Sequence, residues 1–221
     1  MGKNYMKAIF KNILSIDYHK KLVEALARGV PAGAITVNVI VAFFTTAIVY
    51  EYLSFEYLFV WYLAHLGIFV LRVLVGKKIF VILDDSNEVK KYLFIYTTLL
   101  FVSSILYSHV FWMSVSSNLP EIYVYIMGAT FIAMTSGAVT TLSSVYHIFV
   151  VFVVSLLAPA SVIIMFYDGE AYTAFTVLLV IYTLLLLTAG YNQYKNFKKI
   201  VSLEETFQTM YDKSSDAILI V

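Results

Sequence analysis

Six nearly unbroken apolar stretches, at 31–50, 57–75, 92–113, 121–142, 145–166 and 171–190, are separated by short polar connections. Each comes close to the about 20 residues a helix needs to cross a bilayer. The pattern therefore predicts an all-α integral membrane protein, a six-transmembrane-helix bundle over 31–190. Before it, residues 1–30 alternate basic positions (Lys3, Lys7, Lys11, Lys20, Lys21, Arg28) with apolar ones such as Ile9, Phe10, Ile13, Leu22 and Leu26. With no continuous apolar core and no small-residue cleavage site, this segment is not a signal peptide. It predicts amphipathic helix on the membrane surface, broken near Ser15-Ile-Asp17. After the last stretch, Ile200, Leu203, Phe207 and Met210 recur at spacings of 3, 4 and 3. That is a narrow apolar seam, the pattern of a short coiled coil. Residues 191–212 are accordingly expected to form a cytoplasmic signalling helix through which two copies pair.

The distribution of charge orients these elements. The connections 51–56, 114–120 and 167–170 carry Glu51, Glu56, Glu121, Asp168 and Glu170 but no Lys or Arg, and all 15 basic residues fall on the opposite side. The positive-inside rule then puts both termini in the cytoplasm, as expected of a multi-pass protein of a bacterial inner membrane. The division between the fourth and fifth stretches rests on Leu142-Ser-Ser144 alone. A hairpin is expected there, because an odd number of spans would strand Lys195, Lys198 and Lys199 outside. Pro31 is placed in the first turn of the first span, where its missing N–H costs nothing. Pro159 is expected to kink the fifth.

Composition agrees: 61% of the 221 residues are hydrophobic and 13% charged, with mean hydropathy +0.85. Soluble domains are about one quarter charged. The absence of cysteine removes disulfides, thiolate metal sites and a cysteine nucleophile.

Polar groups inside a membrane are costly and ask for a reason. Trp61, His65, Ile68 and Arg72 follow at spacings of 4, 3 and 4, so they share one helix face. His65 falls close to the midplane and should face the bundle interior, whereas Arg72 is expected to snorkel to the inner headgroups. Asn38 in the first span, with Tyr107, His109 and Trp112 in the third, completes a candidate ligand-binding set around Trp61 and His65. Should His65 and His109 meet, they would suit a haem or copper ion; otherwise no cofactor is expected. Ser103 and Ser104 are assigned to packing. Ala129, Ala133 and Gly137 form a small-residue stripe that would let another helix approach closely. No Asp or Glu lies within a span, and neither a glycine-rich phosphate loop nor HExxH is present. No catalytic residue is assigned.

From Leu203 the sequence runs Leu-Glu-Glu-Thr-Phe-Gln-Thr-Met-Tyr-Asp-Lys-Ser-Ser-Asp-Ala-Ile-Leu-Ile-Val. It resembles the start of a PAS domain: an amphipathic helix bearing Phe207 and Tyr211, a turn at Ser214 and Asp216, then a first strand containing Ile218 and Ile220. The resemblance implies that 213–221 opens a truncated PAS-like domain. Upstream, Arg28-Gly-Val-Pro31, Trp61 and Arg72 are similar in style to the bacterial membrane-associated sensor modules that precede PAS, histidine-kinase or cyclic di-GMP (GGDEF and EAL) domains. A more distant likeness is to the six-helix receptors for α-hydroxyketone autoinducers. These resemblances imply an input module that perceives a small lipophilic stimulus and relays it to a cytoplasmic output enzyme. Its expected partners are membrane lipid, that ligand and a second copy, with no nucleic acid. A haem or metal redox sensor is one alternative; a small transporter or channel is another, of a different class.

Overall fold

The structure, a computed structural model, describes residues 19–167 and 170–218. Among the described residues it is all-helical. Helix α1 (Lys20–Ile35) passes through a widened π-helical turn, Thr36–Val41, into α2 (Ala42–Val49). There follow α3 (Phe55–Val81), α4 (Ser86–Ser116), α5 (Glu121–Leu142), a single 3₁₀ turn at Ser143–Val145, α6 (Tyr146–Met165) and α7 (Glu170–Ile218). The starts are chemically marked. Ser54 Oγ accepts from the Tyr57 N–H at 3.3 Å, and Asp85 Oδ1 from the N–H groups of Asn87 and Glu88 at 3.1 and 3.2 Å. Asn118, at φ 59°, turns the chain between α4 and α5.

Five helical stretches are long and apolar enough to cross a membrane, where the hydropathy pattern predicts six. The difference lies at 121–165. Helicity does not lapse at Leu142-Ser-Ser144; the 3₁₀ turn carries it through, so the predicted fourth and fifth spans are one helical stretch of 45 residues. Its direction nevertheless reverses. Along α7, Tyr172 meets Tyr125, Phe175 lies against Gly128 and Tyr182 bonds Ser136 at 2.6 Å, so α5 and α7 run parallel. Tyr146 then bonds the Leu187 carbonyl at 3.3 Å, and Phe149 lies against Gly190. Because α6 returns to meet the start of α7 through a connection of only four residues, 166–169, it runs antiparallel to both. The reversal is confined to Val145, whose φ and ψ of −124° and 84° leave the helical region. Small hydroxyls permit this: Ser143 Oγ bonds the Val139 carbonyl, capping the turn from within.

Three further boundaries differ from expectation. Pro31 lies inside α1, and the helix crosses the predicted surface-to-span boundary at 30 without a break. Proline is tolerated there because neighbouring helices can re-satisfy the freed backbone. Pro159 likewise sits inside α6, which continues to Met165. At the other end, α7 is one helix of 49 residues, about 74 Å long. It runs past the predicted turn at Ser214–Asp216 and through Ile218, where a strand was expected. With no strand among the described residues to pair with, a helix is the form that satisfies this backbone locally. The Lys3–Asp17 region and Leu219–Val221 lie outside the described residues.

The core runs the length of the bundle, with Tyr96, Tyr107, Phe111, Phe131, Phe149 and Phe152 its largest fully buried apolar side chains. The opposite faces present Phe43, Phe59, Leu74, Phe94 and Leu184 outward, as suits contact with acyl chains.

Candidate functional site

The buried polar side chains fall into two groups with different chemistry. The first surrounds the π-helical turn. Asn38 is fully buried; its amide N–H donates to the Ala34 carbonyl at 3.2 Å, and its Oδ1 accepts from Ser103 Oγ at 2.8 Å. His65 Nδ1 stands 3.3 Å from the same oxygen. A π-turn leaves carbonyls out of the regular ladder, and the Tyr107 hydroxyl donates to one of them, at Val37. Trp61 Nε1–H donates to the Leu106 carbonyl at 2.9 Å. The rings of Trp61, His65 and Tyr107 close the group, with centroids 4.4 to 5.5 Å apart.

Four of the six predicted ligand-binding residues, Asn38, Trp61, His65 and Tyr107, are thus brought together. They hold one another through these contacts, with His65 Nε2 left without a partner. Ser103, read from its sequence context as packing ahead of pocket lining, bridges α4 to the turn.

His109 and Trp112 are not part of this group. His109 is exposed, its Nδ1 is 2.7 Å from the Tyr57 hydroxyl, and its ring leans on Tyr57 and Trp112. Tyr57 precedes His65 by eight residues on α3, about 12 Å along the axis. The two histidines therefore serve different partners at different depths. The described residues contain no group of three His, Cys, Asp or Glu placed to hold a metal ion.

The second group is a single residue with space around it. Arg72 does not snorkel; it is 2% exposed. Nη2 donates to the Tyr96 hydroxyl at 3.0 Å, and the guanidinium carbon is 5.3 Å from the Tyr96 ring centroid. Nε and Nη1 have no partner. Arg72 helps line a cavity of about 440 Å³ between α1 and α5, walled also by Gly33, Thr36, Ala133, Gly137, Leu100 and Phe152. A side chain added at Gly33 or Gly137 would meet nothing within 4 Å. The small-residue stripe on α5 therefore opens a groove instead of seating a helix. Its hydroxyls turn inward: Thr130, Thr135 and Ser136 donate to carbonyls of their own helix. Because Thr36, Ala133 and Gly137 are exposed, the groove opens sideways, toward the bilayer.

The wall of that groove is joined by ion pairs to the far part of α7. The lower end of α1 is tied by Lys21 to Glu204 at 3.1 Å and by His19 to Glu205 at 3.7 Å, both on α7, and by Lys20 to Asp84 at 2.5 Å. On either side of Glu204 and Glu205 along α7, Ile200, Leu203, Phe207 and Met210 are all exposed, at 48 to 68%.

Comparison with protein-family models, curated proteins and solved structures finds no match to this chain.

Proposed function

We propose that the chain is the membrane input module of a bacterial signal-transduction protein, taking up a small lipophilic ligand within the bilayer and passing a change of helix arrangement to a cytoplasmic partner domain. The observation that carries this reading is the joint between groove and output. Helix α1 forms one wall of the cavity and is ion-paired at its base to α7, which continues without interruption to an apolar seam lacking cover. A ligand that favours one position of α1 biases the position of α7 through Glu204 and Glu205; differential binding of this kind is all that a relay requires.

In this reading Glu121–Met165 crosses and returns, both chain ends face the cytoplasm, and the seam pairs with a second copy. The PAS-like character of the residues after Lys213, with a histidine kinase or cyclic di-GMP enzyme beyond, is part of the same proposal and rests on sequence resemblance. The metal-sensor alternative has no support in the separate positions of His65 and His109. The transporter alternative gains nothing from a groove that opens to lipid on one side.

Because the chain contains no cysteine, single cysteines report pairing directly. In native membranes, Leu203→Cys and Phe207→Cys are expected to form disulfide-linked dimers under mild oxidation, while Gln208→Cys, on the other side of the helix, is not. Uniform or absent cross-linking across 200–210 would remove the seam from the mechanism.

A further inference from the structure

We infer that the groove between α1 and α5 is a binding site for a single-chain anionic amphiphile, with its oxyanion head on Arg72 and its acyl chain along the small-residue wall.

The charge is the first observation. Arg72 is almost completely buried and two of its three nitrogens have no hydrogen-bond partner. A guanidinium does not give up its proton, so the positive charge stays in the hydrocarbon region. No carboxylate is at hand: the sequence contains no Asp or Glu between Glu56 and Asp84, or between Glu121 and Asp168. Tyr96 accepts one bond from Nη2 but carries no compensating charge. Arg72 is among the residues that line the cavity, and its guanidinium carries donors without a partner, so an oxyanion head entering there would gain a charge-assisted hydrogen bond.

The shape is the second observation. About 440 Å³ falls within the roughly 300–1,000 Å³ of small-ligand sites. Apart from Arg72 and three threonines, the lining is glycine, alanine and larger apolar side chains together with Tyr96. From Gly33 to Phe44 the wall extends about 16 Å, enough for much of one acyl chain. Arg72 lies five residues before Lys77, one and a half turns inside the basic cytoplasmic border. A head at that depth arrives with its chain already in the bilayer and enters through the lateral opening at Thr36 and Gly137. Two sources share this chemistry: a free long-chain fatty acid, and a lysophospholipid with an exposed phosphate.

The site deepens the proposed input function and rests on it only for its consequence, not for its occupancy. The test uses the full chain in phosphatidylcholine nanodiscs with tritiated palmitate as probe. Saturable binding is expected. It should weaken about tenfold or more in Arg72→Gln, the loss expected for a charge-assisted pair. It should weaken equally in Gly137→Phe, which fills the groove at a position where a side chain meets no neighbour. Gly67→Phe, equally open but away from the groove, should bind as the parent chain does. Competition by unlabelled palmitate alone would assign the site to free fatty acid; competition by lysophosphatidate as well would assign it to a bilayer lipid. Either outcome supports the inference.

Three results would overturn it: no saturable binding, equal competition by hexadecanol, which lacks the charge, or efficient disulfide formation between two Gly137→Cys chains, which would place a second copy over the groove. The input reading fails separately, if palmitate binds but leaves the disulfide yield of Leu203→Cys unchanged.

Discussion

The π-turn cluster and the Arg72 groove lie on the same face of α3, seven residues apart, yet they resolve the same physical problem in opposite ways. Around Asn38, the amide, the Ser103 and Tyr107 hydroxyls and the Trp61 N–H all find protein partners, and His65 Nε2 is left without one. Around Arg72, a permanent charge is enclosed beside a cavity with two nitrogens unpartnered. Polar residues buried in a membrane are thus of two kinds, and burial alone does not separate them. A fixed charge does, together with whether a cavity adjoins it.

The contrast can be broken most sharply at Arg72 itself. Replacing an incompletely paired buried ion with an apolar side chain stabilises a protein by about 1–4 kcal/mol. Arg72→Leu is therefore expected to raise the melting temperature of the ligand-free chain in detergent while abolishing palmitate binding; a lower melting temperature would mean that the charge is structural. Asn38→Leu should act in the other direction. It strands Ser103 and the Nδ1 side of His65, and interhelical bonds in membranes are worth roughly 0.6–2 kcal/mol, so a loss of about 2 kcal/mol is expected from thermal unfolding. Smallest is the effect of Gly137→Ala. With no neighbour to strike, it should gain about 0.5–1 kcal/mol of helix propensity, whereas Gly128→Ala and Gly190→Ala, whose new methyl groups would fall on Phe175 and Phe149, should lose stability in the same assay.

Much of the bundle was legible in the sequence because hydropathy over about 20 residues is a direct record of the solvent. The face shared by Trp61, His65, Ile68 and Arg72 was legible too, and all four are buried as that spacing requires. That spacing also held the signal that Arg72 faces inward; assigning it to the headgroups set a side-chain habit above the helical period. Other features leave no one-dimensional trace. Leu142-Ser-Ser144 marked the reversal at 143–145, but not that helical turns carry through it, with Val145 leaving the helical region. Glycine spacing shows that a helix is narrow on one side, but not whether a neighbour or a cavity lies there. The ion pairs of Lys21 and His19 with Glu204 and Glu205 join residues more than 180 positions apart, and no local pattern announces them.

Helix α7 contains no joint between the lipid-embedded bundle and its far end. Each residue turns such a rod by about 100°, so the compass direction in which the apolar seam points is fixed by the number of residues separating it from the membrane. A tilt of a few degrees at the bundle becomes a sideways sweep that grows with distance along the rod. The helix is both a ruler and a lever: its length sets the azimuth at which anything attached must meet its neighbour, and in the proposed relay its stiffness would turn small repacking near the groove into a larger displacement at its far end.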